Sequence, residues 1–397
     1  MPDLMGLPSL ARRRSAIAVE RAAMDLRRGI PVLIDASAPG DAPVLMAAVE
    51  GLETDVLEAM RGLAARGEGA GADTRPLLIL THPRARTLSI RLYTDPVIAV
   101  PVEAASGPAD LMAVADPAED LARPFKGPFQ ALRALPSGAL AQAIRLTKIA
   151  GLLPAAVVVA MDPAPADGVS GEVARLSAKD VDAYDQAISE TLEIVARAPV
   201  PLEDAPETHL VAFRGRAGGP EHYAIVIGRP VPGQDTLVRL HSECFTGDLL
   251  GSLKCDCGDQ LRGAIRRIAE EGCGIVLYLA QEGRGIGLMN KLRAYALQDQ
   301  GFDTVEANER LGFEVDERAF QPAAEMLKRL GHRRIRLLSN NPGKEDALEK
   351  HGITVVSRER HAFPTNPHNI NYLRVKAQKT GHDLDFDEAH QSEGEGR

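Results

Sequence analysis

Three of the four cysteines in this chain fall within fourteen positions: Cys244, Cys255 and Cys257, in "HSECFTGDLLGSLKCDCGDQL", His241 to Leu261. His241, Glu243, Asp248, Asp256 and Asp259 surround them. The spacing is not the doubled Cys-x-x-Cys of a structural zinc ribbon. Three protein ligands instead leave the fourth position of a zinc ion open to water, the catalytic arrangement, which lowers that water's pKa toward about 7. Three thiolates are also a ligand set with which zinc deaminases activate water against a purine or pyrimidine carbon. The bland reading is that small buried hydrophobes cluster by chance. The polar, glycine-bearing surroundings argue against a core strand. Cys273, at the end of an amphipathic stretch, reads as packing.

Other candidates carry less on spacing alone. "EGRGIG", Glu282 to Gly287, lacks the full G-x-G-x-x-G of a dinucleotide site, although a glycine-rich turn after a strand lets backbone N–H groups approach phosphate. "NNPGKE", Asn340 to Glu345, places Lys344 beside a helix start where an anion could dock, but it lacks the complete P-loop pattern, and on spacing alone a surface turn is the better reading. Tyr295 falls in register with Leu288, Leu292 and Ala296, which reads by default as the core face of a helix.

The elements that must position these residues alternate. "YAIVIG", "TLVRLHSE", "GIVLYLAQ", "IRLL" and "ITVV" read as strands. Asp259 to Glu271 reads as a helix with Leu261, Ala264, Ile265, Ile268 and Ala269 on one face. Upstream, "AIAVERAAMDLRRG" has helical spacing ending at Gly29, and "IPVLI", "LLIL" and "AAVVVAM" are short apolar strands. Helices are expected near 138–150 and 178–196. Between the halves, the Pro- and acid-rich "ARAPVPLEDAPE", residues 196–207, reads as a linker. The acidic end, 385–397, reads as a solvated, disordered tail.

With 397 residues, 45% apolar and 25% charged, the chain has ordinary globular composition and room for two domains. A net charge of −9 argues against a broad basic surface for nucleic acid. The longest uncharged apolar stretch, Ile149 to Met161, is too short to span a bilayer, and no apolar segment follows Arg12, Arg13 and Arg14 as a signal peptide requires. A cytoplasmic, reducing compartment is expected, where clustered cysteines serve as metal ligands or catalytic thiols rather than disulfides.

Taken in order, "RLHSECFTGDLLGSLKCDCGDQL", "QEGRGIGLMNKLRAYALQDQGFDTVEANERLGF", "IRLLSNNPGKEDAL" and "NPHNINYLRVKAQKTGH" resemble GTP cyclohydrolase II of riboflavin biosynthesis, over roughly Leu210 to Leu384. The resemblance implies hydrolysis of GTP at C8 of guanine, releasing formate and pyrophosphate and leaving a diamino-hydroxy-phosphoribosylamino-pyrimidine. It implies one zinc per chain on Cys244, Cys255 and Cys257, and magnesium with the triphosphate. Arg239, Leu240, His241, Ser242, Glu243, Gln260, Glu282, Gly283, Arg284, Thr304, Ser339 and Lys344 would bind GTP. Asp316 would be the general base and Tyr295 would assist at the guanine ring. Arg318 would attack the α-phosphate, although a guanidinium that stays protonated above pH 12 or so serves equally as an electrostatic clamp. The family is a homodimer in this reading. Two positions depart from its pattern: Ser339 where Thr is common, and Ala280 where Arg is usual.

The N-terminal half resembles 3,4-dihydroxy-2-butanone-4-phosphate synthase in "AVERAAMDLRRGIPVLID" and "AIRLTKIAGLLPAAVVVAM". Where the synthase carries a dense acidic run, this chain has "DASAPGDAPVLMAAVEG", and "PSGALAQ" lacks the catalytic His expected there. The expected fold is therefore mixed α/β and α+β in two domains: a degenerate synthase-like domain over 1–195 and a cyclohydrolase II-like domain over 208–384. Two rival functions stand beside the first: a diverged homologue acting on another nucleotide, of the uracil-catabolism kind, and a nucleotide-binding regulator without turnover. Formate release from GTP separates the first from both.

Overall fold

The computed structural model describes residues 10, 13–35, 38, 41–66, 75–161, 173–361 and 363. The motif "NPHNINYLRVKAQKTGH" and the acidic tail lie outside them. The chain divides into two compact units: Met1–Ala187 with Met289–Phe302 and Glu306–Glu317, and Ile188–Leu288 with Asp303–Val305 and Arg318–Arg397.

The first unit is built on a six-stranded sheet in the order β4-β3-β5-β2-β1-β6. Its strands are β1 (Val32–Asp35), β2 (Val44–Ala48), β3 (Leu77–Thr81), β4 (Val97–Pro101), β5 (Ala155–Ala160) and β6 (Arg175–Ser177). β2, β3 and β4 are buried at every position, so they read as unbroken apolar runs rather than alternating ones. Helix α1 (Arg14–Arg27) buries Ala16, Val19, Ala22, Ala23 and Leu26, the row its 3.6-residue spacing predicts. It stops at Gly29, whose φ of 75° suits glycine and whose Cα faces the carbonyl of Gly51 too closely for a side chain. The remaining N-terminal helices are α2 (Thr54–Arg66), α3 (His82–Thr87), α4 (Pro108–Ala115), α5 (Leu140–Ile149), α6 (Ala178–Asp182) and α7 (Tyr184–Glu190).

The second unit holds a seven-stranded sheet in the order β13-β12-β10-β11-β9-β8-β7. Its strands are β7 (Leu192–Pro199), β8 (Thr208–Gly215), β9 (His222–Ile227), β10 (Thr236–Ser242), β11 (Gly274–Leu279), β12 (Arg334–Leu338) and β13 (Thr354–Glu359). β10 runs parallel to both β11 and β12, so the C-terminal ends of these three strands meet at one edge. Open parallel sheets bind ligands at that edge. Strand alternation decides what lies on each face. Val238 and Leu240 join Leu327 and Leu348, from α11 (Gln321–Leu330) and α12 (Gly343–Lys350), in one cluster. Leu237, of opposite parity, packs with Ala264 and Ile268 of α8 (Cys257–Glu271). Arg239 and His241 share Leu237's parity and so leave the sheet on the α8 side. Burial of each such aliphatic side chain contributes about 1.5–3 kcal/mol.

Several expectations change. The stretch expected as a linker begins as strand: β7 covers Leu192–Pro199, so residues 196–199 pair antiparallel with β8, satisfying backbone groups that a free linker would give to water. The helix expected over 178–196 ends at Glu190 for the same reason. The segment "DASAPGDAPVLMAAVEG" contains β2. The helix α9 (Gly287–Asp299) buries Asn290, Lys291, Ala294 and Leu297 rather than the expected row, with Leu292 48% and Met289 61% exposed. Two overlapping faces fit the apolar spacing, and polar Asn290 and Lys291 make the buried one look like the surface. Finally, α9 and α10 (Thr304–Arg310) supply the segments 289–302 and 306–310 to the first unit, so a cut near residue 200 does not separate the units. Among the described residues no helix is long and apolar enough to cross a membrane.

Candidate active site and metal centre

The edge where β10, β11 and β12 end is polar and enclosed. Cys244 follows β10 by two residues, and Cys257 opens α8. One ligand atom from each of Cys244, Cys255 and Cys257 lies within 4.8 Å of the others. The Sγ atoms of Cys244 and Cys255 are 3.7 Å apart. The thiols crowd one another: the bond to Cys244 raises Cys255 to about 11, and the bonds to Cys244 and Cys255 together with burial hold Cys257 well above the ordinary range. Three soft sulfurs at this separation suit zinc, whose ligand thiols bind as thiolates.

Gly247 makes room for the cluster. A Cβ there would stand 2.7 Å from Cys255 Sγ and 3.0 Å from Cys244 Sγ. Its own N–H points at Cys244 Sγ, 3.2 Å away. Gly247→Ala is therefore expected to weaken zinc binding by roughly 10-fold or more while leaving the fold intact, the scale of a disturbed ligand shell. Competition against a zinc indicator measures this, and wild-type affinity would show that the loop yields freely.

Around the sulfurs the side chains are buried and mostly paired. Arg239, 6% exposed, donates from Nη1 to the carbonyl of Leu338 at 3.0 Å and from Nη2 to Gln260 Oε1. Burial lowers its pKa to about 10, with Asp256 and Cys257 opposing and Arg318 adding to the fall. Arg318 therefore stands within electrostatic reach of Arg239. Lys344 is buried and donates to the carbonyl of Leu240 at 2.8 Å, so the reading of "NNPGKE" as a surface turn gives way to a side chain aimed inward at β10. Ser339 is buried, its Oγ receiving the N–H of Asn341 at 3.1 Å. Glu282 accepts the N–H of Phe245 at 2.6 Å and of Gly283 at 3.0 Å, tying the cysteine loop to the glycine-rich turn. Glu243 is half-buried, and burial, then Glu282 and Asp248, raises its pKa. Ser242 accepts from Gln281 Nε2 at 3.0 Å.

The turn after β11 is left-handed at Gly283, Arg284, Gly285 and Gly287, with Arg284 at φ 63°. A non-glycine residue there is strained by about 1–3 kcal/mol. Thr304 opens α10 and is half-buried. Tyr295, half-buried on α9, and Asp316, exposed, belong to the first unit. Ala280 donates its N–H to His222 Nδ1 at 3.0 Å, and burial lowers His222 to about 4.

Sequence reasoning noted Asp248 but gave it no role, and passed over Tyr278 and His361. Asp248 accepts from Cys244 N, Tyr278 Oη and His241 Nε2. Tyr278 lies opposite His241 in the β10–β11 register and stacks on it at 5.6 Å, a pairing visible only once the register is known. His361 bonds to the carbonyl of Gln260 at 2.8 Å from a segment distant in sequence.

Comparison with known proteins gives the family. The family profile described as GTP cyclohydrolase II matches residues 193–360. A GTP cyclohydrolase-2 of Azospirillum brasilense is 45% identical over 374 residues, covering 92% of this chain and 93% of that one. The riboflavin biosynthesis protein RibBA of Salinispora arenicola is 41% identical over 322 residues, 76% of this chain and 71% of its own, a span that must reach well into the N-terminal half. A solved two-domain 3,4-dihydroxy-2-butanone 4-phosphate synthase of A. baumannii aligns at 16% identity and a TM-score of 0.32 over 87% of this chain and 99% of that one. With a relative matched almost end to end at 45% identity, this chain belongs to the GTP cyclohydrolase II family of riboflavin biosynthesis.

Proposed function

We propose that the chain opens the imidazole ring of GTP at C8, releasing formate and pyrophosphate, with one zinc held by Cys244, Cys255 and Cys257. The observation that carries this reading is the convergence of three thiols within 4.8 Å, beside buried Arg239 and Lys344, at the edge where parallel strands end. Zinc on three protein ligands supplies an open position at which water becomes acidic enough to act near neutral pH.

The protein's own groups do the rest. Arg239, Lys344 and Arg318 concentrate positive charge for the triphosphate, and the water-poor surroundings strengthen that attraction. Arg318 acts as a clamp on developing phosphate charge, because its guanidinium does not give up its proton. Gly283 and Arg284, in the left-handed turn after β11, belong to the nucleotide-binding set in the same reading. Asp316 takes the proton of the hydrolytic water, and Tyr295 assists at the ring. Ser339 supplies the hydroxyl that Thr supplies elsewhere in the family. Magnesium on the triphosphate, a homodimer and a cytoplasmic setting belong to the same reading, which the family resemblance supports. Incubation with GTP and magnesium, followed by mass identification of products, tests it. Turnover of a uridine nucleotide without formate from GTP would transfer the chain to the rival class.

The N-terminal half is proposed as a synthase-like domain without synthase activity. The acids kept in its first segment are engaged in holding the fold. Asp35 pairs with Arg175 through two bonds of 2.8 Å, Asp41 accepts the N–H of Gly138 at 2.8 Å, and Glu50 accepts that of Leu153 at 3.0 Å. The full chain given ribulose 5-phosphate and magnesium is expected to make no dihydroxybutanone phosphate. Clear production of it refutes this assignment.

A further inference from the structure

Arg239 and His241 stand two residues apart on β10 and leave the same face of the sheet. Each keeps one buried polar atom, Arg239 Nε and His241 Nδ1, with no hydrogen-bond partner among the described residues. Buried polar atoms left so are rare, and a ligand that completes them is one explanation. The state of the histidine follows from what holds it. Its Nε2 lies 3.1 Å from both oxygens of Asp248. An ionised carboxylate only accepts, so Nε2 carries the proton and Nδ1 of the neutral ring is a bare acceptor. Burial lowers the pKa of His241 against the pull of Asp248, and Arg239 and Lys344 lower it further, which keeps the ring neutral.

We infer that Asp248 is a positioning residue for turnover: it fixes the proton of His241 on Nε2, so that Nδ1 receives a hydrogen bond from an N–H or O–H of the bound nucleotide. The inference rests on the reading of this edge as the GTP site. The same carboxylate accepts the Cys244 N–H at 3.0 Å and the Tyr278 hydroxyl at 2.9 Å, while the Asp248 N–H donates to the Cys244 carbonyl at 2.7 Å. One side chain thereby joins β10, β11 and the first cysteine. A purely structural role would act through these last bonds, and the two roles differ in what they move.

Asp248→Asn separates them. The carboxamide oxygen can keep the Cys244 N–H while its NH2 turns to His241 Nε2, which moves the ring proton to Nδ1 and converts the acceptor into a donor. Turnover of GTP is expected to fall roughly 10- to 100-fold, the scale of one buried hydrogen bond lost. Zinc content and melting temperature should stay near wild type. Nitrogen-15 NMR of histidine-labelled protein gives the second readout, with the His241 signals identified by their loss in His241→Gln. The wild type should show the proton on Nε2, and Asp248→Asn should show it on Nδ1. Wild-type turnover in Asp248→Asn overturns the inference, as does a turnover loss that follows loss of zinc with the tautomer unchanged. If Asp248→Asn does not fold, the wild-type spectrum decides, since a proton on Nδ1 there refutes the inference. A wild type with the Nε2 proton that releases no formate from GTP would fault the activity reading and not the role of Asp248.

Discussion

A Cys257→Ser variant is expected to lose stoichiometric zinc and to release formate from GTP at least about 1,000-fold more slowly than the wild type. The magnitude follows from the several kcal/mol that a Lewis-acidic metal contributes to a hydrolytic transition state, with 1.36 kcal/mol per factor of ten. Serine keeps the volume but replaces a soft thiolate with a hydroxyl, which gives up its proton far less readily. Cys257 opens α8, and α8 packs through Ala264 and Ile268 rather than through this sulfur, so the helix should survive the change. Elemental analysis, circular dichroism and a formate assay on the same preparation make the test complete. Normal zinc with normal turnover would remove Cys257 from the metal centre.

Tyr295→Phe is expected to slow ring opening by roughly 100-fold or more, the scale of one positioned proton donor or acceptor. The competing account makes Tyr295 a packing residue. The structure narrows that account, because the buried row of α9 is Asn290, Lys291, Ala294 and Leu297, with Tyr295 half-buried beside it and the Lys291 ammonium 5.6 Å from its ring centre. Phenylalanine preserves the ring, its area and that cation contact and removes only the hydroxyl. Melting temperature and zinc content should therefore hardly move, and pyrophosphate release should persist, since that step is proposed to draw on Arg318 and Lys344. Wild-type formate release from Tyr295→Phe would return the residue to a packing role.

The strands around the site were legible because β-branched runs bounded by turns have few other uses. "TLVRLHSE" and "GIVLYLAQ" became β10 and β11 almost to the residue. The three cysteines were legible as a group because short spacing in a loop leaves them little freedom to part. Register was not legible, and with it went the stacking of Tyr278 on His241. Nor was the inward turn of Lys344, since a lysine two residues into a helix looks the same on paper whether it meets solvent or the carbonyl of Leu240. The face of α9 was misread because its interior is polar. Asn290 and Lys291 are buried there, and a hydropathy pattern assigns such residues to water.

The return of 289–302 and 306–317 to the first unit bears on how the chain is made. A ribosome delivers the N-terminal end first, and domains generally fold as they emerge. Here the first unit must wait. Its interior includes Ala294, Leu297, Ala307, Leu311 and Phe313, all of them at most 4% exposed in the finished structure. Until residue 317 has been synthesised, the apolar surface that receives these side chains stays open to solvent. The chain ahead of them, including all of β7 to β11, is complete by then. The second unit's sheet still lacks β12 and β13 at that moment, so the two units mature together rather than in succession. A fragment ending near residue 200 should accordingly come out of translation with that surface uncovered, prone to aggregate, whereas one that runs past 317 carries what it needs to close it.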